Sequence, residues 1–218
     1  MFDRFETAGP GFINFFLGTE FYSAVIREIL ANPEAYGRSE YGRDEKVMVE
    51  FVSANPTGPM HMGNARGGAL GDCLAAVLDK AGYNAWREFY VNDAGNQIEK
   101  FGCSLEARYL QIFKGDEIEF PEDGYQGEDI KDLAKEYADL NGDSLVNVSA
   151  EERKKALVDY ALPKNIKKMQ ADMEKYKIFY DKWFFESELH KSGAVKAVVD
   201  LLTKKGLTYE KEGAVWYK

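Results

Sequence analysis

The chain is poor in the residues that build metal centres and covalent cross-links. It has two cysteines, Cys73 and Cys103, and two histidines, His61 and His190, in 218 residues. The cysteines stand far apart in no metal-ligand spacing, so they read as buried thiols of a cytoplasmic protein. Two imidazoles are too few for a zinc site without carboxylate help, and no protein-bound metal is expected. No apolar run reaches the roughly eighteen residues of a membrane span. The opening MFDRFETAGPGFINFF lacks the basic head and long apolar stretch of a secretory signal. Basic residues are outnumbered, with 28 Lys and Arg against 37 Asp and Glu, for a net charge of −9. That balance opposes free-standing nucleic-acid binding, which needs clustered cations on phosphates; it is compatible with a cationic small substrate, though most acidic proteins are merely soluble, so composition alone decides little. No GxGxxG follows a strand, which argues against a dehydrogenase.

What is present is a globular composition: 45% hydrophobic, 30% charged, with 14 Phe, 13 Tyr and 3 Trp. There is no internal repeat. Ala8–Leu17 reads as a Gly/Pro turn running into a short buried strand, and residues 19–32 carry a helical apolar period. Residues 33–44 form a polar linker. The run 46–52 has the Val, Met and Phe content of a buried parallel strand, and it stops at the turn chemistry of Asn55-Pro56-Thr57-Gly58-Pro59. A helix then begins near Gly63, its apolar face made of Ala69, Leu70, Cys73, Leu74, Val77, Leu78 and Ala81, and ends at Gly82. A second strand (85–91) and a second helix (94–113) follow.

This strand–helix–strand–helix order predicts an α/β fold, the first half of a doubly wound Rossmann-like parallel sheet with an α-helical/β-hairpin insertion. Residues 114–147 turn polar and read as an insertion. Ser149 with Glu152 forms a capping box for a helix that Pro163 interrupts, with a further helical stretch to about 177. A third strand spans 179–185, an amphipathic helix 192–205, and a hairpin 207–217 turns at Glu212-Gly213. The predicted division is 1–45 (end of an N-terminal domain and linker), 46–113 (first half of the Rossmann-like domain), 114–178 (insertion and helices) and 179–218 (third strand, helix and hairpin).

The chemistry concentrates in residues 50–66, EFVSANPTGPMHMGNAR. A buried strand delivers the chain to the carboxyl edge of the sheet, where ligands bind in open α/β folds. A Pro-rich turn lifts it, and a helix starts at once. The helix start offers unpaired N–H groups and partial positive charge, which favour phosphate. His61 and Asn64, three apart, face the same way and can both donate hydrogen bonds to phosphate oxygens. Gly63 between them leaves room for a nucleotide, whereas Gly67, Gly68 and Gly71 read as close packing of helix on sheet.

His61-Met62-Gly63-Asn64 is similar to the HIGH signature of class I aminoacyl-tRNA synthetases. The longer SANPTGPMHMGN resembles the arginyl-tRNA synthetase form of that motif. AGPGFINFFL, GDCLAAVLDKAGY, REFYVNDAGNQ, WFFESELHKSG and GLTYEKEGAVW agree, so the resemblance runs from about Ala8 to Lys218. It implies two steps: arginine attacks the α-phosphate of ATP to give arginyl-adenylate and pyrophosphate, then passes to the terminal ribose of its tRNA. Catalysis would come from positioning and charge stabilisation, with Mg²⁺ carried on ATP. The family also requires tRNA before it activates arginine. By position in the motif, Pro56, Thr57, Gly58, His61, Gly63 and Asn64 fall on the ATP site (54–64), with His61 and Asn64 catalytic. Ser53 and Asn55 match positions that hold the amino acid, and Glu50 matches a carboxylate near the cationic arginine. The signature usually ends in histidine. Asn64 can donate a hydrogen bond there but cannot become cationic, which predicts a modestly altered phosphate contact.

Plainer readings stand beside these. His61 can be a helix cap, Asn55 a turn former, Glu50 the partner of Arg66 or Arg87, and Asp93 the N-cap of the second helix. The cluster Lys154, Lys155, Lys164, Lys167 and Lys168 reads as a solvated helix face, with tRNA contact the alternative, and Trp183, Phe184 and Phe185 as core. Two rival functions remain: a small HxGH nucleotidylyltransferase, which would turn over alone, and a non-catalytic binding module, which would not bind ATP. On the synthetase reading, the chain alone is expected to bind ATP weakly, to make little or no contact with tRNA and not to charge it. Exposed apolar surface at the sheet edge would then favour self-association.

Overall fold

The computed structural model describes residues 2–218, Asp116 by its backbone alone; Met1, at the head of the predicted 1–45 segment, lies outside the described residues. The chain divides into two compact units, one formed by the segment up to Lys46 with Ala76–Asn84, the other by Val47–Ala75 with Ala85–Lys218.

In the first unit β1 (Phe2–Ala8) pairs antiparallel with β2 (Phe12–Leu17). Gly9 and Gly11 supply the left-handed turn between them, at φ 56° and 93°. The expected strand is therefore present, but it is not buried: Phe12 is 69% and Phe15 59% exposed. Two strands alone cannot enclose the aromatic side chains they carry. Helix α1 (Thr19–Ala31) follows.

The three-stranded sheet, which lies in the second unit from Val47 and Ala85 onward, has the order β3 (Lys46–Glu50), β4 (Asn84–Val91), β5 (Lys182–Phe185). β4 and β5 are parallel. Asn84 N–H donates to Glu45 O and Phe51 N–H to Glu88 O, partners that advance together, so β3 is parallel too. Helix α2 (Met62–Lys80) makes the first crossover. Its buried positions are Gly68, Gly71 and Ala75, while Leu70 and Leu74 are exposed. The helix thus rests on the sheet through its small residues, not the predicted apolar face. A Cβ on Gly71 would lie 2.2 Å from the Phe51 ring, and one on Gly68 2.9 Å from Ile178, so these two glycines are required by close approach. Gly67 has open space around it.

Residues 96–175 form a helical module of α3 (Asn96–Lys114), α4 (Glu128–Asn141) and α5 (Ala150–Lys175), with a short 3₁₀ turn after α3. Phe101, Leu105 and Tyr109 of α3 meet Ile130, Ala134 and Ala138 of α4 and Leu157 and Ala161 of α5 in one apolar core. Helix α4 falls where only polar insertion is expected, because its packed face uses two alanines and one isoleucine on an otherwise charged surface.

Helix α5 runs unbroken through Pro163, contrary to the interruption predicted there. Pro163 is exposed, so the carbonyl it leaves without a donor faces solvent. The buried residues of α5 are Arg153, Leu157, Ala161, Asn165, Met169 and Met173. A four-residue step overshoots one turn by about 40°, so this stripe winds around the helix. Its first half packs on α3 and α4, and Met169 packs beneath the sheet with Phe89 and Val91. Ser149 caps α5 as expected, accepting from Glu152 N–H at 3.2 Å.

The chain ends in α6 (Glu186–Lys191), α7 (Ala194–Lys204) and the hairpin β6 (Thr208–Lys211) and β7 (Ala214–Tyr217). Among the described residues no helix is long and apolar enough to cross a membrane, and no group of three or more His, Cys, Asp or Glu gathers as metal ligands would.

Candidate active site

After β3 the backbone leaves the sheet through Val52 and Ser53, both left-handed, at φ 68° and 42°. For a β-branched residue this is strained, by about 1–3 kcal/mol. Neighbouring bonds hold it. Ser53 Oγ donates to Glu50 Oε1 at 2.7 Å and accepts from Tyr90 N–H at 3.1 Å, while Tyr180 OH donates to Phe51 O at 3.2 Å.

The loop then lies on α5. Asn165 Nδ2 donates to Pro56 O at 3.0 Å, and Ala54 and Met60 pack in the cluster that contains Ile166 and Met169. Pro56 and Thr57 are buried. Asn165→Ala leaves a buried carbonyl without its donor, a cost of about 1–3 kcal/mol. The expected result is a lower melting temperature together with a raised KM for ATP; an unchanged melting curve would show that α5 does not hold the loop.

At the helix start the two signature side chains are tied to one another. His61 N–H donates to Asn64 Oδ1 at 3.0 Å, and His61 Nδ1 accepts from Gly63 N–H at 3.1 Å. This is a reciprocal cap, with an imidazole and an amide in the places usually taken by Ser and Glu. The cap has a chemical consequence. An Nδ1 that accepts requires the neutral tautomer with its proton on Nε2, and an amide whose oxygen accepts keeps both N–H bonds free. Capping and ligand binding therefore do not compete: the acceptors face the helix and the donors remain.

Both residues line a cavity of about 590 Å³, together with Ser53, Asn55, Thr57 and Gly58 on the loop. Three expected site residues lie outside this lining. Pro56 is buried beneath it. Glu50 is exposed, and its hydrogen bond is to Ser53, with no ion pair to Arg66 or Arg87 among the described residues. The space that Gly63 leaves is taken by the His61 ring, since a Cβ there would lie 2.9 Å from Cε1.

The lining also includes Gln97 in the first turn of α3 and Tyr125 from the loop before α4, which residue-by-residue reading missed. The only signal for Gln97 is its place just past a strand end, in NDAGNQ. Tyr125 shows as one aromatic between the glycines of an acidic loop. Asn165 is visible only as a polar residue in the four-spaced stripe.

Other expectations need correction. Asp93 does not cap α3, whose N-cap is Gly95; its Oδ1 accepts from Ser187 N–H at 2.8 Å, at the start of α6. Cys73 is exposed, not buried, while Cys103 is partly buried, and burial pushes its thiol up. Of the five lysines, Lys154 pairs with Glu99, Lys155 with Asp159 and Lys164 with Glu136, which suits a solvated face. Trp183 stacks on Phe89 and Phe184 on Tyr90.

The family model for class I tRNA synthetases (R), catalytic domain, matches residues 25–216. The arginine–tRNA ligase of Acetivibrio thermocellus is 61% identical over 99% of this chain, and that of Ruminiclostridium cellulolyticum 59% over the same share. The chain spans 38% of the length of either relative. Among solved structures, one described as an arginyl-tRNA synthetase from Campylobacter jejuni superposes with a TM-score of 0.75 at 34% identity, covering 92% of this chain and 43% of that one. The Thermus thermophilus arginyl-tRNA synthetase gives 0.54 at 25% identity, covering 98% and 35%. The chain belongs to the arginine branch of the class I tRNA synthetases, within the catalytic domain.

Proposed function

We propose that this chain supplies the nucleotide-handling part of an arginine–tRNA ligase. Arginine's carboxylate attacks the α-phosphate of ATP, which arrives as its Mg²⁺ complex and leaves as pyrophosphate; arginine then moves to the terminal ribose of tRNA. Arginine, ATP and tRNA are thus the partners of the whole enzyme. One observation carries the reading: the His61–Asn64 cap spends one acceptor of each side chain at the helix start, both residues line the cavity, and among the described residues no protein acceptor takes their side-chain N–H groups. Such donors serve charge that grows on phosphate oxygens as the new bond forms. The strained Val52–Ser53 turn supports Ser53 and Asn55 as contacts to the amino acid, with Glu50 attracting its positive charge through Ser53. Unpaired, exposed Cys73 suits a reducing cytoplasm.

The test is ATP–pyrophosphate exchange by the full-length protein with tRNA present, comparing arginine with lysine and citrulline. Exchange with arginine alone is expected. Exchange that ignores the amino acid would favour a nucleotidylyltransferase, and failure to bind ATP would favour a binding module; the names of the relatives weigh against both.

Asn64→His tests the departure from the usual signature. An imidazole Nδ1 can accept from His61 N–H and leave Nε2–H at the cavity, the same division that Asn64 makes with Oδ1 and Nδ2. The exchange rates of the two forms are expected to agree within about threefold, less than the usual worth of one neutral hydrogen bond. A histidine form faster by orders of magnitude would mean that cationic charge is needed there.

A further inference from the structure

We propose that Gln97 binds a substrate oxyanion in the cavity that His61 also lines, and that Tyr125 is its positioning residue; this deepens the reading just given and rests on it. Tyr125 OH donates to Gln97 Oε1. That bond decides what Gln97 can offer. With its oxygen engaged, the amide turns its two N–H bonds the other way, and among the described residues no protein acceptor takes them. Both side chains are half-buried and line the same cavity as His61 and Asn64. A half-buried amide with two free donors, in the lining of a cavity that His61 and Asn64 also line, is complementary to a carboxylate or a phosphate oxygen.

Tyr125 is itself held for this task. Its backbone N–H donates at 2.8 Å to Ser104 Oγ, which is buried and donates at 2.7 Å to Lys100 O. The same loop is tied to α3 by the Lys100–Asp123 ion pair at 2.7 Å. The loop is thus anchored by its backbone, so removing the phenol oxygen alone should leave the tyrosine ring where it is. Without that oxygen, the Gln97 amide is free to rotate and present either face. The residue bound has two possible sources, the arginine carboxylate or an ATP phosphate, and both are oxyanions.

The experiment is a double-mutant cycle in the full-length enzyme, reading KM for arginine and for ATP separately from kcat in tRNA-supported pyrophosphate exchange. Gln97→Ala is expected to raise one of the two KM values about tenfold, the worth of one good hydrogen bond. Tyr125→Phe should raise the same KM about threefold, and Tyr125→Phe in the Gln97→Ala background should add nothing. A rise for arginine assigns the carboxylate; a rise for ATP assigns a phosphate. Gln97→Glu, which can still accept from Tyr125 but repels an oxyanion, should be worse than Gln97→Ala. Additive effects of the two substitutions, or unchanged KM values in Gln97→Ala, overturn the proposal. His61→Ala separates the two levels. If it is impaired while Gln97→Ala is normal, only the Gln97 assignment fails; if both are normal, the synthetase site fails with it.

Discussion

His61→Ala is expected to slow arginine-dependent pyrophosphate exchange by about 10²–10³-fold, the usual cost of one preorganised donor to a developing charge. The substitution removes two things. The imidazole Nε2–H of a cavity-lining residue is lost, and so is the Nδ1 acceptor that caps Gly63 N–H. The second loss is structural and small, about 1 kcal/mol for an N-cap, and it would lower the melting temperature slightly. His61→Asn divides the two. Asparagine is among the best N-caps, so the helix start should be restored, while its shorter amide does not reach where Nε2 stands. The expected pattern is wild-type melting with activity still down by more than tenfold, an outcome that a cap alone cannot produce. If His61→Asn restores both stability and rate, the imidazole is only a cap, and the catalytic assignment of this helix tip falls. The signature reading and the capping reading make the same static geometry, and only this pair of variants tells them apart.

Much of the candidate site is legible in the sequence, because most of the residues that line the cavity lie in one continuous segment. The strand, the Pro-rich turn and the helix start that carry Ser53, Asn55, His61 and Asn64 are adjacent in sequence, and the three-residue spacing of His61 and Asn64 places them on one side of the tip. The strands β3, β4 and β5 and the terminal hairpin were legible for the same reason: each is a short run of Val, Phe, Trp or Tyr between turn residues. What failed was long range. Helix α2 has its leucines at helical spacing, and nothing local says that Gly68 and Gly71 face the sheet while Leu70 and Leu74 do not. The strained φ at Val52 is likewise invisible, because valine gives no sign of a left-handed turn. Pro163 is a helix breaker by itself, yet buried contacts on both sides of it keep α5 continuous. Asn165 reaches Pro56 across 109 positions of sequence. No pattern in either segment announces that bond.

The largest stability effect is expected away from the cavity, at Arg153. This side chain is only 9% exposed, and its donors are spread over the loop that joins α4 to α5: Nε to Leu145 O at 2.8 Å, Nη2 to Val146 O at 3.2 Å and Val148 O at 2.8 Å, and Nη1 to Glu106 Oε1 of α3 at 2.6 Å. One planar fork thus satisfies three carbonyls and a carboxylate whose side chain is 17% exposed. Arg153→Ala leaves all four acceptors without it, and breaking a buried pair in this way costs about 3–5 kcal/mol. For a chain of this size that lowers the melting temperature by on the order of 10 °C. Arg153→Lys keeps the charge but not the fork, so it should recover less than half of the loss. Arg153→Met combined with Glu106→Leu removes both charges and should melt higher than Arg153→Met alone, because no carboxylate is then left buried and unpaired. Since Arg153 begins the buried stripe that continues through Asn165 to Met169, its loss should also loosen the support of the signature loop. The sign of this is a KM for ATP that rises steeply as temperature nears the lowered transition, with normal values well below it. A thermal melt of Arg153→Ala that overlays the wild type would show that the loop carbonyls find other donors, and that α3, α4 and α5 are held together by their apolar core alone.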